Sequence, residues 1–135
     1  MITTHYVIEY LDPRCSNNTA PDNITVVLQR NSRALTVLES AANVAREYRI
    51  SVTYFGNFLG YFVDAINGTA SSHPCYWFIY FLRPNGDLVF SPVGLSNLHL
   101  PEDGYTIIMR YETYDEMLEN STTLNDAEIS VSYDS

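Results

Sequence analysis

Chemistry in this chain would have to come from three His, two Cys and a few acids set among apolar residues. His5, His73 and His99 are far apart, and no pair has the H-x-x-x-H or HExxH spacing that places two imidazoles on one helix face. Each reads as a surface or loop imidazole rather than a metal ligand. No G-x-S-x-G, P-loop or GxGxxG run occurs. Asp64 sits alone inside an apolar run, and Glu102 and Asp103 are neighbours in a turn, so no acid–base set converges. The expectation is a protein that binds rather than catalyses, with no protein-bound metal.

Cys15 and Cys75 are far from any CxxC metal spacing. In an oxidising compartment they would close a disulfide worth about 4 kcal/mol by loop entropy. Two independent buried thiols are the alternative. Four N-x-[ST] sequons, at Asn17, Asn23, Asn67 and Asn120, favour an extracellular glycoprotein and with it the disulfide. His5 to Leu11 already reads as strand, so secretion would require a leader trimmed from the chain. No apolar run reaches the roughly 18 residues of a membrane span.

The formal net charge is −9, and every basic residue is Arg. Arg110 is the last of them, and seven of the sixteen acids follow it. A chain without a basic face is a poor partner for nucleic acid or for an anionic membrane. Binding chemistry is left to the aromatic residues, among which Tyr dominates with eleven. Tyr suits half-buried strands and ligand-facing surfaces, offering a flat body and a polar tip.

The aromatic residues are densest in the stretch from Gly60 to Tyr80. Two aromatic-rich runs, Tyr61–Ile66 and Cys75–Tyr80, flank a polar connection built on Asn67-Gly68 and His73-Pro74. This reads as two paired strands with a decorated loop. In the second run, either Tyr76, Phe78 and Tyr80 or Trp77 and Ile79 face the core, because side chains alternate. A sheet aromatic on both faces needs a cover for the second: a ligand, a partner or the acidic tail.

The elements that would position these residues follow from periodicity. Strands are expected at residues 6–11 and 24–30, joined by a long polar loop as a hairpin. Residues 32–48 change to helical offsets, with Leu35, Leu38, Ala42 and Ala45 on one stripe. Asn31 or Ser32 would cap this helix, and Arg46 and Arg49 would face its C-terminal dipole. Strands follow at 50–55, 59–66, 75–82, 88–90 and 105–111, with a loop at 93–104. Hairpin, helix, then strands is the β-grasp order, an α+β class with one main helix on a mixed sheet. Residues 1–114 form the expected domain. Residues 115–135 form an expected acidic, mobile tail, in which Ile129, Val131 and Tyr133 alternate as an edge strand would.

The helix Leu35-Thr36-Val37-Leu38-Glu39-Ser40-Ala41-Ala42 resembles the "LLxVLExAx" helix in the C-terminal β-grasp domain of the transcobalamin, intrinsic factor and haptocorrin family. Tyr61-Phe62-Val63-Asp64-Ala65-Ile66-Asn67-Gly68, followed by Tyr76-Trp77-Phe78, is similar to that domain's G-x-x-V-x-x-I-N-G and YW pair. Pro92-Val93-Gly94-Leu95 and Pro101-Glu102-Asp103-Gly104-Tyr105-Thr106-Ile107 resemble its later Gly loop and closing strand. The resemblance spans about residues 24–114. It implies a domain that packs over one face of cobalamin with apolar side chains and backbone groups.

Carried over by position, Trp77 matches the family's Trp, and Tyr61 matches an aromatic of the ligand-side strand. Val93, Gly94 and Leu95 fall in the loop that approaches the corrin. Phe58 and Leu59 match the preceding turn, where the family often has smaller polar residues. The resemblance thus implies cobalamin or a related corrinoid as bound ligand. The family's helical domain has no counterpart in these residues. A separate helical partner, a receptor or a self-dimer is therefore expected beside the corrinoid. The alternative is an extracellular protein–protein interaction module of the same fold.

Overall fold

The computed structural model describes residues 1–122 and 132–133, with side chains described to residue 119. Alternation along the first segment gives strand β1, Ile2–Tyr10, whose Ile2, Tyr6 and Ile8 are buried. It pairs antiparallel with β2, Ile24–Leu28. Helix α1, Ala34–Val44, follows, then a 3-10 turn at Arg46–Tyr48.

Strand β3, Ile50–Tyr54, pairs antiparallel with β4, Tyr61–Ile66, which turns back on the short β5, Thr69–Ala70. Then come β6, Cys75–Leu82, β7, Leu88–Phe90, β8, Leu98–His99, and β9, Thr106–Thr113. A second 3-10 turn at Leu95–Asn97, helix α2, Tyr114–Thr122, and the two-residue β10, Ser132–Tyr133, complete the described elements.

The main sheet has five strands in the order β2-β1-β9-β6-β7. Strands β1 and β9 run parallel at its centre, and the other neighbours are antiparallel. One helix packed on a mixed sheet of this order is the β-grasp-like α+β arrangement expected from the order of elements.

The helix begins later than its periodicity implies. Its first residue follows Arg33, which carries no side-chain cap. Asn31 and Ser32 are instead committed to a backbone exchange with Leu100, Asn31 N–H to Leu100 O at 2.8 Å and Leu100 N–H to Ser32 O at 2.9 Å. A tertiary bridge thus replaces the expected cap. The buried stripe is Ala34, Val37, Leu38 and Ala41, and Val44 is exposed. Arg46 and Arg49 fall beyond the helix, so neither meets its C-terminus.

The two aromatic runs of Gly60–Tyr80 do not pair with each other. Asn67 and Gly68, at φ 49° and 80°, make the two-residue turn that returns β4 onto β5. The second run joins the main sheet as β6, between β9 and β7. Its Trp77, Ile79 and Phe81 point into the core beneath α1, together with Ile107 and Met109. Cys75 is bonded to Cys15, with Cα atoms 5.7 Å apart, which ties the β1–β2 loop to the start of β6.

The second face of the main sheet is covered in part by the segment expected to be a mobile tail. Residues 115–122 of that tail, together with Tyr114, form α2, which packs on β6, β7 and β9 and buries Met117. A capping box starts it. The Thr113 amide donates to Glu116 Oε1 at 3.0 Å, and the Glu116 amide donates to Thr113 Oγ1 at 3.2 Å. Under this cover, Arg110 pairs with Glu9 at 2.8 Å and lies 4.4 Å from the Tyr80 ring centre, and the Tyr80 hydroxyl donates to Glu112 at 2.5 Å. Ser132 and Tyr133 pair antiparallel with His99 and Leu98, while Ile129 and Val131 lie outside the described residues.

Candidate binding groove

What α2 leaves uncovered is a groove of about 670 Å³. Its floor is the second face of β6 and β7, where Tyr76, Phe78 and Phe90 succeed one another with ring centres 6.2 and 6.3 Å apart. One wall is the β3–β4 hairpin, through Phe55, Leu59 and Phe62, with Phe55 and Phe62 edge to face at 5.7 Å. Tyr114, at the head of α2, closes the opposite side. Asp64 is the one lining side chain, among the described residues, that is charged at neutral pH. It accepts the Thr53 hydroxyl.

The residues singled out from sequence do not form one surface. Phe58 is 78% exposed at the hairpin tip and lies off the groove wall. Leu59 is on the wall. Tyr61 is half-buried and packs on Tyr54, ring centres 4.9 Å apart, outside the groove lining. Trp77 contributes to the lining but is only 6% exposed. Its indole N–H donates to Thr69 O at 2.8 Å, and its ring packs on Tyr111 and Tyr10 at 4.8 and 5.4 Å. An indole held this way organises the core more than it meets a ligand.

The Val93–Leu95 segment faces protein. Val93 is half-buried, and Gly94 and Leu95 are buried. Gly94 N–H donates to Leu59 O at 2.6 Å, and a Cβ on Gly94 would lie 2.4 Å from Tyr61 O. The glycine is therefore needed where the loop backbone touches β4, at an ordinary φ of −72°. Ser96 and Asn97, which sequence reasoning passed over, complete this brace. Ser96 Oγ accepts the Tyr61 amide at 3.1 Å, and Asn97 Nδ2 donates to Asn57 O and Phe58 O, both at 2.8 Å. Loop 93–97 positions the groove's hairpin wall.

Phe55, Phe62, Phe90 and Tyr114 also line the groove and were not among the expected site residues. Phe55 and Phe62 carried a readable signal, being aromatic positions across a hairpin. Tyr114 carried none, because its place depends on α2 folding back over the sheet.

Among the described residues, the three His side chains stand apart from one another. His5 bonds Thr25, His73 bonds Tyr76 and His99 bonds the Asn31 carbonyl, in three separate places. Among the described residues, no three His, Cys, Asp or Glu side chains gather as a metal site. The Asp12 carboxyl is held well below the usual carboxylate range by hydrogen bonds from the Arg14 side chain and amide. Burial pushes the Tyr111 phenol up, and its hydroxyl donates to Ala70 O at 2.8 Å. Asn17, Asn23 and Asn67 are exposed, and the side chain of Asn120 lies outside the described residues.

No family model matches the chain, and no curated protein matches it. Among solved structures, it is similar to a crystal structure of haptocorrin in complex with Cbi, with a TM-score of 0.59 and 18% sequence identity. The match covers 84% of this chain and 25% of that one, so this chain spans about a quarter of the haptocorrin chain. The likeness is one of fold: the β-grasp-like arrangement described above is also found in haptocorrin.

Proposed function

We propose that this protein is an extracellular, non-enzymatic binding protein whose ligand is cobalamin or a related corrinoid. The observation that carries the reading is the aromatic groove left open on a domain whose fold is similar to about a quarter of a haptocorrin chain solved with Cbi. The motif resemblance of residues 24–114 points the same way. Floor residues Tyr76, Phe78 and Phe90 offer flat apolar surface to one face of a corrin, and the hairpin wall offers Leu59 beside it. A groove of this size is within the roughly 300–1,000 Å³ range of small-molecule sites. Residues 1–114 are the binding domain on this reading, and a helical partner, a receptor or a second copy covers the other ligand face. The Cys15–Cys75 disulfide and the exposed sequons at Asn17, Asn23 and Asn67 support an extracellular location.

The test is a titration with hydroxocobalamin, followed by the visible bands of the corrin and the fluorescence of Trp77. Band shifts with saturable quenching are expected. An unchanged spectrum at high micromolar ligand removes the corrinoid reading.

A second reading is favoured by the hairpin tip. Tyr54, Phe55, Phe58 and Leu59 are all exposed, within a stretch that has no charged residue. Such a patch fits a protein partner. Under this reading cobalamin has no effect, and the chain self-associates or co-purifies with its partner in size-exclusion chromatography.

A further inference from the structure

The groove's charge is as specific as its aromatic content. Its lining offers the faces and edges of Phe55, Phe62, Tyr76, Phe78 and Phe90, and one carboxylate, Asp64. None of the chain's seven Arg is part of that lining. Arg14 pairs with Asp12, Arg83 with Asp87 and Arg110 with Glu9, all with acids outside that lining. Asp64 is exposed, and no basic side chain pairs with it among the described residues. Its place on β4 is fixed, because its carbonyl accepts the Ser71 amide at 2.9 Å and its carboxylate accepts the Thr53 hydroxyl. An adjoining dip of about 360 Å³ shares Tyr76 and Tyr114 and adds Asp115 and His73.

Aromatic faces attract cations through the ring quadrupole, and a carboxylate at the rim adds a charge partner. The same sheet face already shows this chemistry, where Arg110 lies over the Tyr80 ring. The overall charge of −9 adds a long-range field of the same sign. An uncharged ligand could gain a hydrogen bond to Asp64 but no ion-pair attraction, and an anionic one would meet repulsion.

We propose that the groove selects a small apolar ligand bearing one positive charge, with Asp64 as the residue that sets the preference. The inference rests on the corrinoid reading only in taking this groove as the site.

The experiment compares three probes with one alkyl chain: octyltrimethylammonium, octyl glucoside and octyl sulfate. Each is titrated calorimetrically below its micelle concentration at pH 7.5. The ammonium probe is expected to bind about tenfold more tightly than the glucoside, with the sulfate weakest. Asp64→Asn should abolish the difference between ammonium and glucoside. Phe78→Ala should weaken both. Glu39→Gln, which removes an exposed acid from α1 on the opposite face of the sheet, should change neither.

Equal affinity for the ammonium probe and the glucoside overturns the charge preference and leaves an apolar groove. A preference that survives in Asp64→Asn overturns the assignment to Asp64 and makes the effect one of net charge. Binding of none of the three overturns the groove as a site for this class. The separate hydroxocobalamin titration then decides the corrinoid reading on its own evidence.

Discussion

The amide of Gly94 donates to the carbonyl of Leu59 at 2.6 Å, which makes a buried loop the support for one wall of the groove. The contact leaves no room for a side chain, since a Cβ at position 94 would meet both the Leu59 and Tyr61 carbonyls within 2.6 Å. Those are backbone atoms of the β3–β4 hairpin, which cannot rotate away as a side chain would. Gly94→Ala is expected to cost about 1–3 kcal/mol, as overpacking does. Urea unfolding measures it. A variant as stable as the parent would show that the loop and hairpin separate freely.

The disulfide closes a long loop between β1 and β6. The unfolded chain gains that loop's freedom when the bond is lost, at a cost of about 4 kcal/mol. Cys15→Ser/Cys75→Ser, unfolded beside the oxidised parent, should show most of this loss, with the reduced parent close to the double variant. A loss under about 1 kcal/mol would mean that the β1–β2 loop is ordered by other contacts, such as Asn18 Nδ2 donating to Thr69 Oγ1 at 2.7 Å.

These two cases mark what was legible in the sequence. The cysteines announced their pairing through sequons that point to an oxidising compartment. The order hairpin, helix, strands led to the β-grasp-like sheet because periodicity changes sharply at residues 32 and 50. Gly94 was noticed, but its neighbour was not readable: a glycine beside a ligand and a glycine beside another backbone look alike in one dimension. Trp77 carried the same ambiguity. Alternation said that either its set or the Tyr76 set would be buried, and the helix packing decided. Tyr114 and α2 were obscured by acidity, since the capping pair Thr113 and Glu116 is separated from the apolar Met117 by no clear period.

The Asp12 carboxylate makes stability depend on acid pH. Its folded pKa is lowered, chiefly by hydrogen bonds from Arg14. A depressed carboxylate contributes stability that is fully present above the unfolded value of about 3.9, and loses it as pH falls toward the folded value. Asp12→Asn should therefore be less stable than the parent at pH 6, and the gap should narrow as pH falls below 4. Thermal unfolding of both proteins across this range checks the sign. A gap that is constant with pH would assign the Asn effect to packing at this buried position rather than to charge.

Phe78 and Phe58 separate the two functional readings. Phe78 lies on the groove floor between Tyr76 and Phe90, whereas Phe58 stands 78% exposed at the hairpin tip, away from the groove. A corrin lying on the floor loses packing area when Phe78 is cut to Ala, so its affinity should fall by about 1–3 kcal/mol while Phe58→Ala binds like the parent. A protein docked on the tip reverses the pattern, because the exposed ring then becomes the buried anchor. Both variants are suited to the comparison: Phe58 makes no core contact, and Phe78 faces away from the α1 core, so a change in binding need not follow a change in fold. Corrin titration and partner capture on the same pair therefore give opposite rankings. A Phe78→Ala protein that keeps full corrin affinity removes the groove floor as the contact surface.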